Sequence, residues 1–349
     1  MKKTLKLTTA LVGSMLTLGV SSAVAQTTVS GNLGLSYYAT SNSSTANTAQ
    51  TFRGFGKESQ INISNKGKLS NGMDYVAGFS IEMDGADISN TTAVVGSDIQ
   101  AQQSENVYID LISGNTTITI GADHIQNPDV HLANIVGFGY IGADGVNGAA
   151  ATFPTHASSY SAYGVGVVQN LTGFGRISFN YVPNNVNAQA VNDIGNGMTK
   201  AKTGDGESSK EIVFRGDLGV KGLDVLLHKN YADSQLAGFD IGGKTIGARY
   251  NFGNFTVAAQ DITKEGNTTT TKGRSYGAAY AVNKDLSVGY TYGKAEKTAS
   301  TVDEITHMVA LGYNLGPVSL QAQYKDVANH ANTTNADGTI VGVYLGTRF

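Results

Sequence analysis

The chain has 349 residues, with 24 Lys+Arg, 27 Asp+Glu and no cysteine. Charged residues make up 15% and glycine 44 of 349, against about 25% and about 7% in ordinary soluble domains. This excludes a disulfide scaffold and argues against a helical bundle, and no nucleic-acid partner is expected of a chain with formal charge -3.

Residues 1–25 read as a secretory signal. Lys2, Lys3 and Lys6 precede a largely apolar run from Leu7 to Val24, which ends in Ala23-Val24-Ala25, an A-x-A cleavage site. The mature chain, 26–349, is expected to be one domain. Removing three lysines leaves 21 Lys+Arg against 27 Asp+Glu, a formal charge of about -6.

From there the apolar period is two, the signature of strands with one dry and one wet face. The first strand runs from about Thr28 to Ala39, followed by a polar run from Thr40 to Thr51, and the second strand holds Ile61 and Ile63. Asn71-Gly72 is a hairpin turn signal. After it Met73, Tyr75, Ala77, Phe79, Ile81 and Met83 alternate with polar or small residues. Gly85 to Gln103 is polar, and Val107, Ile109 and Leu111 then turn through Ser113-Gly114-Asn115 into Ile118, Ile120 and Ala122. Alternation then stops from Asp123 to Ala157. It resumes in Tyr163, Val165 and Val167, turns, and continues in Ile177, Phe179 and Tyr181. After a polar stretch from Val182 to Ser208, four further hairpin-like units follow and then a last strand, with Val341, Val343, Leu345 and Phe349.

Seven short turns alternate with eight longer polar connections, which gives sixteen strands. An even number of antiparallel strands, with short turns at one end and long loops at the other, predicts a 16-stranded antiparallel transmembrane β-barrel. Its apolar outer and polar inner residues average out, in keeping with a mean hydropathy of -0.13. Charges support the same reading. Asp74, Glu82, Asp110, Arg176, Arg215, Asp217, Asp224 and Arg249 fall opposite the apolar face, and Tyr and Phe gather near strand ends, where aromatic girdles sit.

Motifs for catalysis or phosphate binding are missing: G-x-S-x-G, H-E-x-x-H and G-x-x-x-x-G-K-[ST] do not occur. The six histidines are scattered. His124 and His131 lie near Asp123 and Asp129, but no helix fixes a ligand spacing, so neither a metal nor a cofactor is expected. Asp84-Gly85-Ala86-Asp87 and Asp205-Gly206-Glu207 resemble pieces of calcium loops and read more simply as polar turns.

The segments Asn71-Gly72-Met73-Asp74-Tyr75-Val76-Ala77-Gly78-Phe79 and Asn106 to Asp123, with the terminal Phe349, resemble those of general Gram-negative bacterial porins of the alpha- and beta-proteobacterial type. The resemblance implies a homotrimer in the outer membrane, surrounded by lipid and lipopolysaccharide, passing small hydrophilic solutes and ions by passive diffusion. It also implies that Phe349 is part of the signal read by the outer-membrane insertion machinery, although Thr347 departs from the bulky residue common two places before the end. By position, the stretch 123–157 is the third extracellular loop, which folds inward in such porins. Asp123, Asp129, His131 and Asp144 would then face Arg176, Arg215 and Arg249 across a constriction, and Asp74, Glu82 and Asp110 would add lumen-facing acid. A mild cation preference follows. The alternatives are a substrate-specific channel, which calls for more inward aromatics than Tyr38, Tyr108 and Tyr344, and a barrel phospholipase or protease built on His228 or His307.

Overall fold

The computed structural model describes residues 25–42, 51–82, 103–122, 135–136, 163–182, 206–234, 240–266 and 269–349. The expected signal segment, apart from Ala25, lies outside them, as do most of 123–157 and Met83. The strands are β1 (Gln26–Asn42), β2 (Thr51–Lys68), β3 (Asp74–Glu82), β4 (Gln103–Ser113), β5 (Thr116–Ala122), β6 (Tyr163–Leu171), β7 (Gly175–Val182) and β8 (Gly206–Gly216). They continue with β9 (Leu223–Ser234), β10 (Asp240–Phe252), β11 (Phe255–Gly266), β12 (Thr270–Ala281), β13 (Leu286–Lys297), β14 (Glu304–Asn314), β15 (Val318–Ala328) and β16 (Gly338–Arg348). Each pairs antiparallel with its sequence neighbours, and β1 pairs with β16, so the sheet closes into a sixteen-stranded barrel. Among the described residues no helix is long and apolar enough to cross a membrane.

The alternation becomes two faces. Leu35, Ile109, Ile120, Phe179, Ile212, Leu227, Ile246 and Val309 are exposed on the outside, while Ser36, Asp110, Thr119, Asn180, Glu211, His228, Thr245 and Thr306 are buried on the inside. An outer surface this apolar is unstable in water and stable in hydrocarbon. Aromatic rings bound it at the short-turn end, where Tyr250, Phe252, Phe255 and Tyr280 form a row with successive centroids 5.9, 5.7 and 4.7 Å apart. Further up, Tyr276, Tyr292 and His307 form a second row.

Closure depends on small residues under large ones. Inward Tyr38 and Tyr108 lie flat against cross-strand Gly342 and Gly78, and Tyr344 covers Gly34 and Gly346; a Cβ at Gly342 or Gly78 would sit 2.8 or 2.9 Å from a ring atom. The last residue joins the seam: the Phe349 N–H donates to Gly31 O (3.0 Å) and Gly31 N–H to Phe349 O (2.9 Å). At the short-turn end Gly72 adopts φ 86°, as the Asn-Gly pair predicts.

One expectation needs correction. The sequence predicts a longer polar loop at every second connection, but three of the four such connections in the second half are short, 329–337 being the exception. The connections 235–239, 267–269 and 298–303 are no longer than the turn 217–222. Strands β9 to β13 each continue to 12 or 13 residues, through polar positions such as Lys244, Lys264 and Lys294. The ladder uses backbone groups and carries on where side chains turn polar, so loss of apolar alternation marked the end of the apolar band rather than the end of the strand. Likewise β1 runs to Asn42, inside the polar run from Thr40 to Thr51.

Candidate functional site: the lumen and its docked loop

The lumen is built from inward positions of sixteen strands, and one segment of the β5–β6 connection lies against it. Ile135 and Val136 are 0% and 1% exposed and pack with Val213 of β8, Leu226 of β9 and Ala258 of β11. Gly247 of β10 makes room: a Cβ there would stand 2.8 Å from Ile135 Cγ2. Two hydrogen bonds hold the backbone, Arg249 Nε donating to Ile135 O (2.8 Å) and Thr291 Oγ1 to Val136 O (3.3 Å). Thr291 lies on β13, eight strands round the ring from β5. A segment leaving β5 and touching both β10 and β13 from inside has entered the lumen and crossed toward its far wall. Burial of two aliphatic side chains contributes about 1.5 to 3 kcal/mol each, and the arginine bond about 1.5 to 3 kcal/mol more.

The predicted constriction residues fall into two groups. Asp123, Asp129, His131 and Asp144 lie outside the described residues. The three arginines come together on one arc. Arg176 and Arg215 are direct cross-strand partners, and Asp224 is the partner of Arg249. Arg215 grips Asp224 with a two-pronged contact, Nη2 to Oδ2 at 2.6 Å and Nε to Oδ1 at 3.0 Å. Arg249 meets the loop backbone. Two of the three arginines therefore engage acceptors in the wall and docked segment, and Asp224 sits between them. The acidic trio divides too. Asp74 stands at the short-turn rim, bonded to Lys68 at 2.6 Å. Asp110 is 2% exposed and accepts from Thr119 Oγ1 at 2.6 Å. Glu82 ends β3, with its side chain outside the described residues.

A second inward cluster lies above the arginines. His228 Nε2 is 2.8 Å from Glu211 Oε1 and His228 Nδ1 is 3.4 Å from Thr245 Oγ1, all three side chains being buried. His307 points outward, its Nδ1 2.7 Å from Tyr290 Oη. At the long-loop rim a one-turn 3-10 helix, His330–Asn332, covers β13 and β14, with Ala331 N–H donating to Glu304 Oε2 (2.7 Å) and Asn332 Nδ2 to Ala295 O (2.7 Å). Toward the other rim, Asn32, Gln60, Asn62, Gln321 and Arg348 line a polar cavity of about 830 Å³. Among the described residues no group of three or more His, Cys, Asp or Glu side chains is placed to hold a metal.

Sequence reading missed the docked pair. Ile135-Val136 is the apolar dipeptide in His131-Leu132-Ala133-Asn134-Ile135-Val136-Gly137, and attention to charge passed over it. Asp224 and Arg215 were expected inside, but their pairing depends on the β8–β9 register.

A closed barrel, apolar outside and polar within, crossed by a segment pinned to its inner wall, defines a membrane channel of the β-barrel class. The sequence profile of the Gram-negative porin family matches residues 8–332, and the chain belongs to that family of outer-membrane channel proteins. Its fold is similar to that of an anion-selective porin from Comamonas acidovorans (TM-score 0.66, 14% identity, 93% of this chain and 100% of that one). It is also similar to a mutant of the Rh. blastica porin (0.59, 13%, 93% and 100%) and to the trimer form of the outer membrane protein OmpT of Vibrio cholerae (0.58, 12%, 93% and 99%). A comparison with curated proteins returns no match.

Proposed function

We propose that this porin lets small hydrophilic solutes and ions diffuse passively through a lumen narrowed by the 123–157 loop, with a mild preference for cations. The docking of Ile135 and Val136 on β8–β13 carries this reading: it brings part of the β5–β6 connection against the inner wall of the barrel. A water-filled path lowers the cost of moving a polar solute past hydrocarbon, and lumen charge biases the ions. Supporting the cation preference are the formal charge of about -6 left by signal removal and the engagement of Arg215 and Arg249 with Asp224 and Ile135 O. Asp123, Asp129, His131 and Asp144 remain the proposed acidic face of the narrowing, opposite Arg176, Arg215 and Arg249, with Asp74, Glu82 and Asp110 as further lumen acid.

The assembled form is proposed to be a homotrimer, in line with the trimer form of the Vibrio neighbour. Cleavage after Ala25 agrees with β1 beginning at Gln26. Phe349, closing the β1–β16 seam, suits a role in recognition by the insertion machinery. A role other than catalysis is supported by the burial of Glu211, His228 and Thr245 side chains, which keeps that imidazole from an external substrate, and by the outward course of His307. Inward Tyr38, Tyr108 and Tyr344, flat on glycines, do not form the stacked slide of a substrate-specific channel.

Liposome swelling tests the reading. Vesicles holding the refolded mature protein should swell in small sugars at rates falling smoothly with solute size. Uptake restricted to one sugar would favour the substrate-specific alternative.

A further inference from the structure

We propose that the outer face of β8–β10, at the long-loop edge of the apolar band, is a docking site for anionic, phosphate-bearing lipid headgroups, centred on Lys210, Lys229 and Lys244. The inference rests on the outer-membrane porin reading for the protein's orientation and for its lipid surroundings, and adds a binding site on the barrel and the residues that form it.

Position comes first. On β9 the exposed Leu227, Lys229 and Tyr231 alternate with buried Leu226, His228 and Asn230, so Lys229 shares the outward face with leucine and tyrosine. Lys244 on β10 and Lys210 on β8 follow the same parity, beside outward Ile246 and Ile212. Below them the outward residues on these strands are apolar: Ile212 and Phe214; Leu223, Val225 and Leu227; Ile246, Ala248 and Tyr250. The lysines are therefore the first charges met on leaving the hydrocarbon zone. Long stems let the ammonium groups rise toward the headgroups while the methylenes stay on the apolar surface.

The arrangement is the second observation. Lys229 and Lys244 are direct cross-strand partners, and Lys210 pairs with Tyr231, which places it diagonal to Lys229. Like charges set directly opposite destabilise a sheet, and none of the three forms an ion pair among the described residues. The next strands behave differently. Asp261 of β11 meets its cross-strand partner Arg274 at 3.3 Å, and Lys294 of β13 meets Glu296 at 2.8 Å and Asp303 at 2.9 Å. Two outward carboxylates of β11 stand diagonal to Lys244 and bound the patch on that side: Asp261, which is engaged by Arg274, and Glu265. Tyr181, the cross-strand partner of Lys210, and Tyr231 flank the lysines with exposed rings, the amphipathic side chains that settle at a membrane interface. A phosphate between the lysines removes their repulsion and complements all three, as basic clusters at membrane surfaces do for anionic lipids.

The test is native mass spectrometry of the refolded mature protein in detergent with one of two probes, a bis-phosphorylated lipid A or the same lipid stripped of phosphate. The wild type should retain the phosphorylated lipid and release the stripped one. Lys210→Gln/Lys229→Gln/Lys244→Gln should weaken retention by roughly fivefold per lysine, on the order of a hundredfold in total, and Lys229→Gln alone by roughly fivefold if the triple variant fails to fold. Lys221→Gln/Lys284→Gln, in the short turns at the opposite end, should retain lipid as the wild type does. Equal retention of both lipids, or undiminished retention by the lysine variants, would overturn the proposal. So would a triple variant that loses its trimer but keeps its lipid, because the patch would then face another protomer. Single-channel current on the same samples keeps the two readings apart: absent current sinks the porin reading whatever the lipid result, and current should be the same in the triple variant and the wild type.

Discussion

Gly247 shows how one residue sets the bore. A side chain there would displace Ile135 from its seat between Val213, Leu226 and Ala258. Gly247→Val should therefore free the loop from the wall, raise single-channel conductance and loosen the size limit in swelling assays, at a cost of about 1 to 3 kcal/mol from overpacking. Arg249→Ala removes the bond to Ile135 O and should act in the same direction more weakly; unchanged conductance in both variants would show that the docked pair does not control the bore. Asp224 carries the electrostatic counterpart. Asp224→Asn leaves Arg215 and Arg249 without the carboxylate between them, and the reversal potential under a salt gradient should move toward anions. Arg215→Gln should move it toward cations. The pair is partly exposed, so its stability share is discounted to about 1 kcal/mol, and the effect should show in selectivity more than in folding.

At the scale of elements, the seam between β1 and β16 should be the most sensitive part of assembly. The Phe349 ring lies over Gly31, where a Cβ would meet it at 2.6 Å, and the two backbones exchange both hydrogen bonds. Gly31→Val should slow barrel closure, seen as a smaller heat-modifiable fraction on electrophoresis after a fixed refolding time, and deletion of Phe349 should do the same. Strand identity and face were readable from the alternation, because period-two patterning registers which side meets lipid: Phe79, Ile109, Ile120, Phe179 and Val309 all point outward as expected. Strand ends were not readable in β9 to β13, where the ladder outlasts the apolar pattern through Lys244, Lys264 and Lys294. Cross-strand partners were also hidden. Arg215 and Asp224 sit nine residues apart in sequence, and only the register of β8 on β9 turns them into a pair.

For the whole molecule, closure, an apolar exterior and a pinned inner segment account together for a stable hollow structure without disulfides. The part of the site legible in sequence was the inward course of Arg215, Asp224 and Arg249. What stayed hidden was the use of an apolar dipeptide to hold the loop, since Ile135 and Val136 gain meaning only beside Val213, Leu226 and Ala258, brought from three different strands. The most direct measurement is the single-channel current of the refolded mature protein in a planar bilayer under a salt gradient. The account predicts discrete, long-lived steps in groups of three, with a reversal potential of the sign set by mild cation preference. Silence from protein shown to be folded and inserted would contradict an open lumen, and a reversal potential of the opposite sign would contradict the balance of charge assigned to its walls.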